Sequence, residues 1–181
     1  MLQKLASYAA PVLNFMPIRR TRRNHALEHA TVHMLQRKFK DLRVSGVSTT
    51  FGFVLLHNAS AELVDAAAHD ALKRLKKGEA GLAVHPNCGT NLMTTGVLAT
   101  IVAVVLWWGN RKLTRARLNW TLVGMIGAVL MGQPLGMEVQ KHFTTAGDPG
   151  DLSIRSGHTD EIKFPTWGRK LSVTLVWTAA G

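Results

Sequence analysis

Two stretches without a charged residue, Leu92 to Trp108 and Leu118 to Leu135, constrain this chain more than any other feature in it. A helix needs roughly 20 apolar residues to cross the hydrocarbon core of a bilayer. The first run approaches that length once Thr90 and Asn91 are added, and the second is similar. Trp107 and Trp108 close the first and Trp120 stands near the start of the second, as tryptophans do at a bilayer interface. Gly124, Gly127 and Gly132 allow two helices to approach closely. The connection between the runs is too polar to bury. The expectation is a transmembrane helical hairpin over residues 92–135. The alternative is a buried core hairpin of a soluble protein, and the tryptophans weigh against it.

The net charge of +11 over 181 residues invites a nucleic-acid partner. The cations are placed differently. Arg19, Arg20, Arg22 and Arg23 follow the apolar stretch Leu5 to Ile18, and Arg111, Lys112, Arg115 and Arg117 sit between the two uncharged runs. Basic clusters beside apolar segments are what anionic lipid headgroups select, so these eight residues are read as lipid-binding. With one Tyr, base stacking has little to work with, and no nucleic-acid partner is expected. Pro11 and Pro17 break the Leu5 to Ile18 stretch, which is too short to span and lacks signal-peptide features. Residues 1–23 are therefore an interfacial, basic amino-terminal segment, or an amphipathic helix packed on the domain.

Between these segments a small domain is expected over residues 24–91. Asn24 to Arg37 reads as one helix, with His25, Glu28, His29 and His33 on one side and Leu27, Ala30, Thr31, Met34 and Leu35 on the other. Leu42 to Leu56 is rich in β-formers punctuated by Gly46 and Gly52, which predicts a hairpin. Ser60 opens a second helix that buries Leu63, Val64, Ala67, Ala71 and Leu75, and Gly78 stops it. His57 and His69 read as surface or turn residues. Residues 136–181 begin as a linker. Leu152 to Ile154, Ile162 to Phe164 and Leu171 to Trp177 follow as strands that can return to the amino-terminal domain. The fold class is thus α+β: a small α-β-β-α domain completed by carboxy-terminal strands, on a two-helix transmembrane hairpin.

The chemistry concentrates in two places. His25-Ala-Leu-Glu28-His29 has the H-x-x-E-H spacing of inverted-motif zinc peptidases, in which two imidazoles one turn apart grip a cation and the carboxylate activates its water. The segment His85-Pro-Asn-Cys88-Gly-Thr-Asn91 carries a second histidine and the sole cysteine, which has no disulfide partner within the chain. His25, His29, His85 and Cys88 are candidate metal ligands, with His33 as a further one, and Glu28 is the candidate general base. Mixed His/Cys donors suit zinc. The competing readings are a solvated helix face for the first segment and a helix-capping turn for the second.

The pairing of Arg23-Asn-His-Ala-Leu-Glu-His-Ala-Thr-Val-His33 with Ala83-Val-His-Pro-Asn-Cys-Gly-Thr-Asn-Leu92 resembles an uncharacterised family of bacterial membrane proteins, over roughly residues 20 to 135. The resemblance implies a small amino-terminal domain followed by a transmembrane pair, and it implies no activity. The similarity to zinc peptidases is confined to His25, Glu28 and His29. Those enzymes take a downstream glutamate as third ligand, and neither Glu79 nor Glu138 sits in a matching context. The functional expectation is a multi-pass protein of the bacterial plasma membrane with a His/Cys metal site on a cytoplasmic domain. It is either a zinc-dependent, peptidase-like hydrolase or a non-catalytic accessory subunit of a membrane complex. Its partners are an anionic bilayer and other membrane subunits.

Overall fold

A computed structural model describes residues 1–39, 41–109, 112–166 and 169–180, with the stretch 156–170 described by its backbone alone. Arg111, expected at lipid headgroups, lies outside the described residues. The chain divides into two compact units, residues 1–85 with 141–181, and residues 86–140.

In the first unit, α1 (Leu2–Tyr8) and α2 (Ala10–Leu13) precede α3 (Met16–Lys38). Proline fixes a helical φ and needs no N–H in a first helical turn, so Pro17 starts α3 well before Asn24. The arginines at 19–23 are consequently part of the same helix as the histidines. The hairpin follows as β1 (Val44–Thr49) and β2 (Gly52–His57), then α4 (Ala61–Lys76), whose first turn is capped by the Ser60 side chain accepting from the Leu63 N–H. A 3-10 turn covers Ala80–Ala83. After the second unit the chain returns as β3 (Ser153–Thr166) and β4 (Arg169–Ala179). The two short segments expected around Ser156 are one long strand with a register shift between Ile154 and Thr159.

The four strands form one antiparallel sheet in the order β1-β2-β4-β3. Phe53, Leu55 and Val176 pack with Leu27, Ala30, Met34 and Leu35 of α3 and with Val64, Ala67, Ala68, Ala71, Leu72 and Leu75 of α4. Leu63, expected in that stripe, is partly exposed, since Val64 and Ala68 carry the contact instead. On β4 the buried positions are Ser172, Thr174, Val176 and Thr178, while Leu171, Val173, Leu175 and Trp177 are only half-buried on the opposite face. Buried hydroxyls are tolerated where they are hydrogen-bonded. Thr178 Oγ1 donates to Asn24 Oδ1 at 2.9 Å, Asn24 Nδ2 donates to the Thr49 carbonyl at 2.8 Å, and Thr174 Oγ1 bonds to His57 Nε2 at 2.8 Å. His57, expected at the surface, is therefore fully buried against β4, whereas His69 is exposed beside Asp65.

The second unit pairs α5 (Gly89–Trp107) with α6 (Arg115–Val139), which continues as a π-turn from Gln140 into the first unit. Both helices are long and apolar enough to cross a membrane, with mean hydropathies of 1.7 and 1.4. Leu92, Met93, Val105, Leu122, Val129 and Leu130 stand exposed, which a soluble core hairpin would avoid. The contact between the two helices uses small residues. A side chain at Gly124 would strike Val102, one at Gly132 would strike Thr95, and one at Gly136 would strike Asn91. Gln140 is buried and donates to Asn91 Oδ1 at 2.7 Å, so a polar bond ties the ends of the two helices.

Candidate metal centre

Helix α3 is buried on both sides over its central turns, because α4 and the sheet cover one side and the 83–85 segment and residues 144–145 meet the other. His29 is 3% exposed and Glu28 6%. The expected polar face is thus buried at Glu28 and His29 and half-buried at His25 and His33, and the buried groups must find partners.

Backbone carbonyls supply most of them. His25 Nδ1 lies 3.0 Å from the Thr144 carbonyl oxygen and His29 Nδ1 lies 2.8 Å from that of Ala83. His33 uses its other nitrogen, Nε2, 2.9 Å from the carbonyl oxygen of Val84. A carbonyl only accepts, so each of these nitrogens carries a proton. A ring N–H held by a carbonyl is one way in which metal-binding imidazoles are oriented. The rings of His25 and His29 are 4.3 Å apart at their centroids, and a ring nitrogen from each lies within 4.8 Å of the other.

His85 joins this row at its other end. Its ring centroid is 4.9 Å from that of His33 and 5.9 Å from that of His29. Its Nε2 stands 3.4 Å from Gln36 Oε1. Burial, followed by the neighbouring His33 and His29, pushes its pKa down to about 4, which keeps the ring neutral at physiological pH.

Glu28 points elsewhere. Its carboxylate accepts from Ser48 Oγ on β1, and its Oε1 occupies space that a side chain at Gly46 would fill. Burial raises its pKa above the ordinary carboxylate value, against the opposing pulls of the Ser48 hydrogen bond and the His25 ring. Ser48 and Gly46 had no place among the expected site residues. An isolated glycine inside a strand signals a close approach by another group, and here that group is Glu28. The carbonyls of Ala83, Val84 and Thr144 leave no trace in residue identity.

Cys88 belongs to the second unit, where it is the N-cap of α5 and its Sγ accepts from the Thr90 N–H at 3.4 Å. Asn91 holds the same turn by donating to the Pro86 carbonyl. Among the expected lipid contacts, Arg22 donates to the carbonyls of Leu13, His142 and Thr145, and Arg23 pairs with Asp151 at 3.3 Å. Lys112, Arg115 and Arg117 flank the start of α6, with Arg117 donating to the Lys112 carbonyl.

An uncharacterized protein of Picosynechococcus sp. (strain ATCC 27264 / PCC 7002 / PR-6) is 33% identical over 156 residues, covering 80% of this chain and 76% of the relative. No solved structure matches. Residues 20–156, which hold both histidine segments and both apolar helices, match the family described as Domain of unknown function (DUF6391), and the chain belongs to that family.

Proposed function

We propose that this is a membrane-anchored metal-holding protein, with zinc bound by His25 and His29 of α3. What supports the reading is the pair of carbonyl bonds at Nδ1 of His25 and His29, to Thr144 and Ala83, together with a ring nitrogen of each lying within 4.8 Å of the other. Imidazole donors favour zinc over magnesium or calcium. The two apolar helices would hold the site at a bacterial plasma membrane with the larger unit on the cytoplasmic side. Arg19, Arg20, Lys112, Arg115 and Arg117 would meet anionic headgroups there.

Of the two roles such a site could have, an accessory role in a membrane complex is favoured over hydrolysis. A hydrolytic zinc needs a carboxylate free to take a proton from bound water. Glu28 instead spends an oxygen on Ser48 and lies against β1 at Gly46.

Elemental analysis of detergent-purified protein tests the reading: about one equivalent of zinc is expected, and metal-free protein would overturn it. Glu28→Gln separates the two roles. An accessory site keeps its metal and its behaviour, whereas a hydrolase keeps its metal and loses turnover.

A further inference from the structure

We infer that the turn between β1 and β2, with the apolar groove beside it, docks on an anionic bilayer whose acyl region takes Phe51 and whose headgroups meet Arg19 and Arg20. The inference rests on the reading that the protein is membrane-anchored, and it needs no metal. Phe51 is 61% exposed at the turn. It belongs to the stretch Val44 to Leu56, which holds no charged residue, and Leu171 to Ala179 of β4 holds none either. On the sheet face away from α3, Val54, Leu175 and Trp177 help to line a groove of about 370 Å³ that reaches Phe51. Val47, paired with Val54, is 67% exposed. Contiguous exposed apolar surface of this kind marks a contact.

The backbone of the turn suits a bilayer, which admits polar groups only where they are bonded within the protein. The Phe51 N–H donates to Thr49 Oγ1 at 3.2 Å, and the Phe51 carbonyl accepts from the Thr178 N–H at 2.9 Å. Gly52 takes a positive φ there, where a side chain would strike the Val176 carbonyl oxygen. Charge selects the occupant. Thr21 Oγ1 donates to the Pro17 carbonyl at 2.9 Å, so Thr50 Oγ1 donates to Thr21 at 3.2 Å. That bond ties the turn to the part of α3 that carries Arg19 and Arg20, whose Nε groups are buried and meet no acceptor among the described residues. Phe15 and Met16, exposed at the start of α3, stand one helical turn before them. Apolar side chains with cations beside them fit an anionic membrane surface, where the cations meet phosphate and the apolar groups pass below it. A second copy of this chain would set arginine against arginine.

The test puts a fluorophore on single cysteines of the full-length protein in phosphatidylglycerol/phosphatidylcholine vesicles, and reads quenching by nitroxide-bearing lipid and by aqueous iodide. Cys88→Ser removes the native thiol and keeps an acceptor for the Thr90 N–H. Labels go at Phe51→Cys, with Val47→Cys as a second position on the groove face, at His69→Cys on the exposed face of α4, and at Leu130→Cys on α6. Circular dichroism checks that each is folded. Lipid quenching at position 51 is expected to exceed that at position 69 severalfold, with iodide quenching in the reverse order. Arg19→Gln with Arg20→Gln, or vesicles of phosphatidylcholine alone, should lower the ratio of docked to free turn on the order of tenfold. Iodide quenching at position 51 equal to that at position 69 would overturn the docking. So would a label sheltered from both quenchers, because a protein would then cover the turn, or lipid quenching indifferent to both arginines and lipid charge. Position 130 reports on anchoring by itself: without lipid quenching there, the membrane-anchored reading fails and the docking with it.

Discussion

His29 Nδ1 and the Ala83 carbonyl oxygen stand 2.8 Å apart between two buried residues, and that bond fixes a proton on one nitrogen of the ring. A loop residue with no functional side chain thereby sets the chemistry of a helix residue far from it in sequence. The same division of labour recurs between His25 and Thr144 and between His33 and Val84.

His29→Ala follows directly. The variant loses a ligand and leaves the Ala83 carbonyl without its donor, which costs about 1–3 kcal/mol for a buried acceptor. Zinc content should fall to background and the thermal midpoint should drop. His69→Ala, on the exposed face of α4, should change neither. Zinc retained at the wild-type level in His29→Ala would show that the helix histidines are not ligands.

Gly46 and Glu28 form the second coupled pair. Alanine at Gly46 puts a Cβ into the Glu28 carboxylate and the Leu55 side chain, and overpacking of this kind costs roughly 1–3 kcal/mol. Removing the carboxylate as well should recover part of the loss. Gly46→Ala with Glu28→Ala is therefore expected to be more stable than the sum of the single effects, read as thermal midpoints in detergent. Strict additivity would mean that Leu55 alone sets the cost.

Much of this arrangement is legible in the residues. The 3.6-residue period of Leu27, Ala30, Met34 and Leu35 marks the buried side of α3, Ser60 and Gly78 bracket α4, and the uncharged runs mark α5 and α6. The segment 24–76 folds as the helix, hairpin and helix that its periods predict. Less legible is whatever depends on contacts distant in sequence. The alternation in β4 cannot say which face is inward, and the face with Ser172, Thr174 and Thr178 wins because His57 and Asn24 wait there to bond them. His57 looks like a turn histidine until that partner is known. The orientation of His25, His29 and His33 depends on backbone carbonyls, which every residue type supplies alike.

The pH dependence of stability in metal-free protein gives another test. The Glu28 pKa is raised by burial, so the folded state holds that proton to a higher pH than the unfolded chain does. Stability from this group is fully present below the ordinary carboxylate range and is lost as pH rises through the raised folded value. Glu28→Gln keeps an acceptor for Ser48 and has no proton to lose. Its denaturation midpoint, measured with chelator present, should therefore fall less than that of the wild type between acid and neutral pH. Parallel curves for the two proteins would place the titration elsewhere.

Arg22 separates two roles that an arginine beside a membrane can play. Headgroup binding requires positive charge near the lipid, and lysine supplies that as well as arginine does. The carbonyls of Leu13, His142 and Thr145 require a planar guanidinium with donors on both terminal nitrogens, which lysine does not have. The bonds to His142 and Thr145 tie the amino-terminal half of α3 to the segment that also holds His25 through Thr144. Arg22→Lys is thus expected to lower the thermal midpoint and to weaken zinc retention while leaving salt-sensitive binding of anionic lipid intact. Arg20→Lys should leave all three unchanged. If Arg22→Lys behaved like Arg20→Lys, the carbonyl bonds would contribute nothing to stability, and the arginine would be serving the bilayer through its charge alone.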